Sequence, residues 1–329
     1  MRALVYTAPH TMELQDLPRP VAHSGEVEVS VEYAGICGSD MSGFLGHSAR
    51  RIPPLVLGHE LVGRLKDGQR VVANPLISCG ACRACLSGCQ NLCDSWRLLG
   101  MDRVQGTYAE FVSLPKAQLV PIPEELPPSR AILAEPLANI VHLFRLAAPP
   151  PLFRLAIVGA GTMGALTLLL AKRIGARDVL IADINADRLQ VMQQFGAEAI
   201  ANVSTPEGKS QTMSSDAVGF DLVIDASGSA PARQFALDLC RPGGQVVLLG
   251  MGSQRSELDF VTSIRKEHRV TMSFAYTPVD FNRSVQLLIA GEIDLDSSTE
   301  NLPLERGQLA FEKMTKSPGP ILKMVLAVS

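Results

Sequence analysis

The chain has 329 residues, enough for two domains with cores of their own. Its 47% apolar and 19% charged residues are ordinary for a globular protein, and 30 Lys plus Arg against 33 Asp plus Glu leave no large field of one sign. That balance argues against nucleic acid or an anionic membrane as the main partner. Met1–His10 shows no basic head followed by an apolar run, and the most apolar stretch, Ala165–Ala171, is too short to span a bilayer. A cytoplasmic location with no membrane partner is the expectation.

In chain order, Glu26–Glu32 alternates apolar and polar residues with period two, the pattern of a half-buried strand, and Gly and Pro punctuate its surroundings. Two short fragments follow, Gly35-Ile36-Cys37-Gly38-Ser39-Asp40 and Gly58-His59-Glu60. Alone each is weak. Brought together, a thiolate, an imidazole and carboxylates can hold a catalytic zinc with one position open. Of seven cysteines, five crowd between Cys79 and Cys93, which in a cytoplasmic chain reads as a metal site rather than disulfides. Cys79, Cys82, Cys85 and Cys93 can close a tetrahedral shell of structural type, with Cys89 a competing fourth ligand by spacing. Cys240, beside the turn Arg241-Pro242-Gly243-Gly244, reads as a small core residue.

A helix begins near Glu135–Val141, and the pattern then changes. The short apolar run Leu155–Val158 enters Gly159-Ala160-Gly161-Thr162-Met163-Gly164 and a helical stretch to Ile174, with Gly175 at the helix exit. Val179–Ala182 reads as a strand ending at Asp183, Ala186–Gln194 as a helix, Leu222–Asp225 and Gln245–Leu249 as strands, and Ala232–Leu239 as the helix between them. Alternating strands and helices predict a doubly wound parallel sheet that ends around Thr271–Thr277. No repeat or low-complexity segment is evident.

The glycine motif follows a strand and opens a helix, the setting of a dinucleotide site. Gly159 allows the tight turn, Gly161 lets the backbone approach a pyrophosphate, and Gly164 lets helix and strand pack closely, while the helix N-terminus faces the phosphates. Asp183, about twenty residues on, is placed to accept bonds from the adenosine ribose and to repel a 2′-phosphate, which predicts NAD over NADP. Its alternative is a cap on the following turn. Arg188 packs near the adenine, screens Asp183, or is a solvated helix arginine.

The order of these motifs, with Ala134-Glu135-Pro136-Leu137 between the cysteine lobe and the glycine loop, resembles the zinc-containing medium-chain dehydrogenase/reductase family over essentially the whole chain. Glu60 after His59 and the Glu135-Pro136-Leu137 segment make it most similar to the branch of sorbitol, galactitol-phosphate and threonine dehydrogenases. The resemblance implies an α/β protein with a GroES-like β-rich catalytic domain over 1–137 and 276–329, a Rossmann domain over 138–275, and an active site in the cleft between them. By motif match, Cys37, His59 and Glu60 are catalytic zinc ligands, and Glu135 either exchanges with Glu60 or holds a zinc-bound water. The match favours Cys93 over Cys89 for the structural zinc. It puts Met163, Asp183 and Arg188 with the glycines at the cofactor, and Leu249, Gly250, Met251, Ala275 and Tyr276 on its nicotinamide side.

The implied reaction moves a hydride from a secondary alcohol of a polyol-like substrate to NAD, with Ser39 as candidate for passing the hydroxyl proton outward or, alternatively, a turn-stabilising serine. Many relatives carry a relay histidine five residues after the catalytic cysteine. Here that position is Ser42, which leaves Ser39 and the cofactor ribose as the expected route. The chain is also several residues short between Gly63 and Asp67, implying a trimmed hairpin.

Within the family, the rival is a sugar-phosphate, amino-alcohol or threonine dehydrogenase, in which Arg50-Arg51 would hold a phosphate; otherwise they are a solvated pair. A rival of another class is a non-catalytic, zinc- and nucleotide-binding regulator. A zinc-free quinone reductase is disfavoured by Cys37, His59 and Glu60. Relatives are commonly dimers or tetramers, so a homo-oligomer is expected.

Overall fold

The computed structural model describes residues 1–214 and 218–329. The chain forms two compact units, Met1–Ala138 with Tyr276–Ser329, and Asn139–Ala275.

The first unit is built mainly on antiparallel strands, with Thr299–Pro303 parallel to Lys323–Ala327. Its larger sheet runs Leu119–Pro121, Arg70–Ala73, Glu60–Arg64, Glu26–Ile36, Lys323–Ala327, Thr299–Pro303, with Phe111–Pro115 pairing the start of Glu26–Ile36. The period-two segment is the first part of that eleven-residue strand, and Val29 and Val31 point into the core. They pack with Ala34, Leu61, Val71, Tyr108, Phe311 and Leu326. A second, three-stranded sheet orders Thr11–Asp16, Arg2–Ala8 and Leu55–Val56. The hairpin after Glu60–Arg64 is short, closed by Leu65 N–H donating to the Gln69 carbonyl.

The register of the large sheet places chemistry-bearing groups. Gly35 lies opposite Glu60, and Met324 opposite Ile36. A side chain at Gly35 would meet the Glu60 carboxylate at 1.9 Å and the Lys323 Cε at 3.0 Å. Only glycine leaves room there for two buried charges.

The second unit is a six-stranded parallel sheet in the order Ala199–Asn202, Arg177–Asp183, Arg154–Val158, Phe220–Asp225, Cys240–Leu248, Arg269–Met272. Numbered along this unit the order is 3-2-1-4-5-6, the doubly wound arrangement. Helices Thr162–Arg173, Ala186–Gln194, Pro206–Ser214, Ala230–Leu239 and Phe260–Arg265 follow successive strands. Ala156, Val158, Leu180, Val223 and Val246 form its core, as expected for strands covered on both faces. One expectation is corrected. Arg241–Gly244 is not a free turn but an irregular stretch inside Cys240–Leu248, which pairs Cys240 with Phe220, shifts register, and resumes at Gln245. Cys240 is buried core, and burial pushes its thiol up to about 11. Among the described residues no helix is long and apolar enough to cross a membrane.

Candidate active site

In the first unit, the strand Glu26–Ile36 runs directly into the helix Gly38–Phe44, with Cys37 at the junction as N-cap. Asp40, three residues on, accepts from the Cys37 N–H at 3.3 Å and so sets the turn. His59 and Glu60 enter the sheet after Gly58, whose φ of 94° suits glycine. One ligand atom from each of Cys37, His59 and Glu60 lies within 4.8 Å of the others. Residues 22 positions apart along the chain are thus brought to one point by pairing of adjacent strands.

Charged groups around this point fix its members. The Asp40 carboxylate is fully buried; its Oδ1 lies 3.5 Å from His59 Nδ1, and its Oδ2 accepts from the Tyr108 hydroxyl at 2.9 Å. Burial would raise Asp40, but His59, then Arg51 and Tyr108, outweigh it and hold the carboxyl well below the usual carboxylate range. With Nδ1 turned to this carboxylate, Nε2 is the nitrogen left to bind. Lys323, also fully buried, ion-pairs with Glu60 Oε2 and donates to the Ile36 carbonyl at 3.2 Å. Glu60 Oε1 is buried and finds no hydrogen-bond partner among the described residues. Burial raises the Glu60 pKa, Lys323 opposes this, and the charge of Glu135, in the first turn of the helix Ala134–Ala147, adds to it. Tyr276 is buried on the same unit, and burial and then Glu135 push its hydroxyl well above its ordinary range.

A buried carboxylate oxygen left without a donor is costly unless something else satisfies it. Thiolate, imidazole and carboxylate are donors that zinc accepts, and three such ligands leave a fourth position for a reactant. The residues present therefore fit a catalytic zinc.

The cysteine lobe forms a second set. Cys79, Cys82, Cys85 and Cys93 sulfurs gather within 4.8 Å of one another, with Cys79–Cys85 at 3.9 Å and Cys82–Cys85 at 3.5 Å. Four sulfurs at about 2.3 Å from one ion would stand about 3.8 Å apart. Backbone N–H groups of Ala81 and Cys82 help bring Cys79 down to about 6. Cys93 accepts from the N–H groups of Cys79 and Ser95. Cys89 lies outside the set, exposed, with its thiol 4.0 Å from the Ser87 carbonyl.

Of the two arginines, Arg50 is exposed, as a solvated arginine would be, whereas Arg51 is not. Arg50 lies 4.0 Å over the Trp96 ring and bonds Asp102 through Nε at 2.9 Å. Arg51 is buried against Asp40 and Ser39. Adjacent arginines look alike in sequence; only the packing of the loop separates them. The sequence motifs contain Asp40 but give it no role, and Lys323 and Tyr108 carry no short-range signal of theirs.

In the second unit, Gly159 has φ 118°, and its Cβ position would lie 3.0 Å from Ser227 N in the loop after Phe220–Asp225. The two loops thus flank the point where the strand order reverses, at the carboxyl ends of the strands. A Cβ on Gly164 would strike the Gly159 carbonyl at 1.9 Å, so glycine is required for the close packing expected of it. Gly161 caps Thr162–Arg173 in extended conformation, and Met163 lies in the first turn. Asp183 accepts from Asn185 N–H at 2.8 Å and from Ala160 N–H at 2.5 Å. It caps the turn and also ties the glycine loop to its neighbour strand; two carboxylate oxygens have lone pairs to spare beyond these bonds. Arg188 is half-buried: burial lowers its pKa, opposed by the nearby Asp183 charge. Gly250 packs on the Gly228 loop, Leu249 and Ala275 are half-buried, and Met251 is exposed.

Residues 23–124 match the alcohol dehydrogenase GroES-like domain, and residues 162–290 match the zinc-binding dehydrogenase domain. The chain is 31% identical to a probable D-xylulose reductase A of Aspergillus clavatus over 94% of this chain and 92% of that protein. It is 30% identical to L-threonine 3-dehydrogenase of Saccharopolyspora erythraea over 99% and 98%. The structure of an Escherichia coli oxidoreductase/dehydrogenase of unknown specificity, involved in membrane biogenesis, superposes with a TM-score of 0.92 at 27% identity, covering 100% and 99% of the two chains.

Proposed function

The chain belongs to the zinc-containing medium-chain dehydrogenase/reductase family, and from that premise we propose that it oxidises a secondary alcohol of a polyol-type substrate with NAD. The observation that carries the reading is the convergence of Cys37, His59 and Glu60, with one buried Glu60 oxygen unpartnered among the described residues. A non-catalytic regulator has no use for three ligands that leave a position open.

When bound, zinc supplies Lewis acidity to the alcohol oxygen and the nicotinamide supplies the hydride acceptor. The chain's own residues do the rest. Cys37, His59 and Glu60 hold the metal, Asp40 orients His59, Lys323 keeps one oxygen of Glu60 occupied, and Glu135 stands by as the exchangeable carboxylate. Ser39 takes the hydroxyl proton as its own proton leaves outward, so that the alcohol loses one hydride and one proton and becomes a ketone. Cys79, Cys82, Cys85 and Cys93 hold the structural zinc. The loop Gly159–Gly164 receives the pyrophosphate, Asp183 the adenosine ribose beside Arg188, and Leu249, Gly250, Met251, Ala275 and Tyr276 the nicotinamide side.

A phosphate-specific substrate is disfavoured, because Arg50 and Arg51 already serve Asp102 and Asp40. The test is NADH or NADPH formation across polyols, a polyol phosphate and threonine. A polyol with NAD should give the highest kcat/KM, with NADP at least about tenfold poorer through repulsion at Asp183. Faster turnover of threonine would move the assignment to that branch. No turnover of any alcohol would restore the regulator reading.

We also read the protein as a cytoplasmic homo-oligomer. None of its seven cysteines forms a disulfide, which suits a reducing compartment. The edge strand Arg269–Met272 exposes Val270 and Met272, and the adjoining helix exposes Phe260, Val261 and Ile264. An uncovered apolar sheet edge is an aggregation hazard that a second copy removes. Val270→Asp combined with Ile264→Asp is expected to halve the mass measured by light scattering; an unchanged mass would remove this edge from the interface.

A further inference from the structure

Arg51 is a buried cation to which the proposed reaction assigns no task. Only 4% of it is exposed. Its Nε lies 3.3 Å from Asp40 Oδ1, and its Nη2 donates to Ser39 Oγ at 2.9 Å. Gly43 makes the space for its stem: a Cβ there would sit 2.5 Å from Arg51 Cδ. Asp40 is itself fixed by the Tyr108 hydroxyl and the Cys37 N–H. The guanidinium is thus anchored at one end on a buried carboxylate and ends at the other on one hydroxyl.

We propose that Arg51 is a positioning residue that makes Ser39 a directed proton conduit; this rests on the reading of Ser39 as the proton-passing group. A serine hydroxyl has one hydrogen and two lone pairs, whereas a guanidinium only donates and stays charged. Arg51 therefore commits one lone pair of Ser39 Oγ, and the hydroxyl hydrogen cannot point toward it. One lone pair remains for the alcohol proton, and one hydrogen remains to leave. In the transfer, the alcohol O–H bond breaks as a new Oγ–H bond forms, and the original Ser39 hydrogen passes to a water beyond. The fixed positive charge disfavours a doubly protonated Ser39, so the two proton moves occur together. Ser42, also on the helix Gly38–Phe44, offers no comparable titratable base.

The experiment is a kinetic cycle on the zinc-loaded enzyme with Ser39→Ala, Arg51→Met, the double variant, and Arg51→Lys. Zinc content and NADH affinity are measured alongside and should match the parent. Each single loss is expected to lower kcat by about 10- to 100-fold with little change in KM. The double variant should fall within about twofold of Ser39→Ala, since the arginine acts through that serine. Arg51→Lys should recover part of the rate, and the solvent isotope effect on kcat should grow in Arg51→Met, because the slowed proton transfer then limits turnover more. Losses that multiply in the double variant, or an Arg51→Met enzyme of parental kcat, would overturn the proposal. If Arg51→Met does not fold, Arg51→Lys with and without Ser39→Ala makes the same comparison. A parent active on alcohols whose Ser39→Ala variant is equally active defeats this inference alone. A parent inert on every alcohol defeats the underlying function as well.

Discussion

Cys37→Ser is expected to lower kcat/KM by at least about 10³-fold while leaving NADH affinity within about twofold of the parent. The substitution keeps shape and exchanges a thiolate for a neutral hydroxyl, a poor zinc ligand. It leaves His59 and Glu60 as two ligands where three converge. It also leaves Asp40 accepting from the residue 37 N–H, because that bond uses backbone. The glycine loop and Asp183 belong to the other compact unit, so dinucleotide binding is the internal control. Metal analysis should find the loss of about one zinc per chain. Turnover near the parental rate would end the assignment of Cys37, whereas joint loss of turnover and NADH binding would indicate general misfolding.

Cys93→Ala is expected to cost on the order of 3 kcal/mol or more, a fall in Tm of roughly 10 °C. The lobe has little core to fall back on. Cys85 and Cys93 are buried there, but Leu86 and Leu92 are largely exposed. Two backbone N–H groups that end on the Cys93 sulfur lose their acceptor as well. Chelation of the parent at a concentration that removes both metals should reproduce the drop, and limited proteolysis should then cut within residues 79–98. Cys89→Ala, by contrast, should leave Tm within about 1 °C, since its side chain is exposed and outside the sulfur set. Equal effects of the two substitutions would contradict the ligand choice.

Much of this architecture was readable from residue patterns, and the exceptions have physical causes. The helix Ala186–Gln194 and the strand at Leu155–Val158 follow from periodicity and their bounding turn residues, which are local signals. The glycine loop was legible because each glycine has a separate steric reason. The irregular start of Cys240–Leu248 was not, because Pro242 and two glycines signal a turn as readily as a bulge. The proposed metal ligands were legible as family motifs, but their supports were not. Lys323 reaches Glu60 only through the pairing of the strands Lys323–Ala327, Glu26–Ile36 and Glu60–Arg64. Arg51 differs from Arg50 only in which way the loop turns it. Such supports depend on tertiary register, which short motifs do not encode.

The pairing of Glu26–Ile36 with Lys323–Ala327 has a bearing on the order in which the molecule can be made. Nearly three hundred residues, including an entire contiguous unit, leave the ribosome between those two strands. Until the later one arrives, the earlier strand has a bare edge and Glu60 lacks its counter-cation. The inserted unit, drawn from one continuous stretch, has all its partners at hand and can fold ahead of the segment synthesised before it.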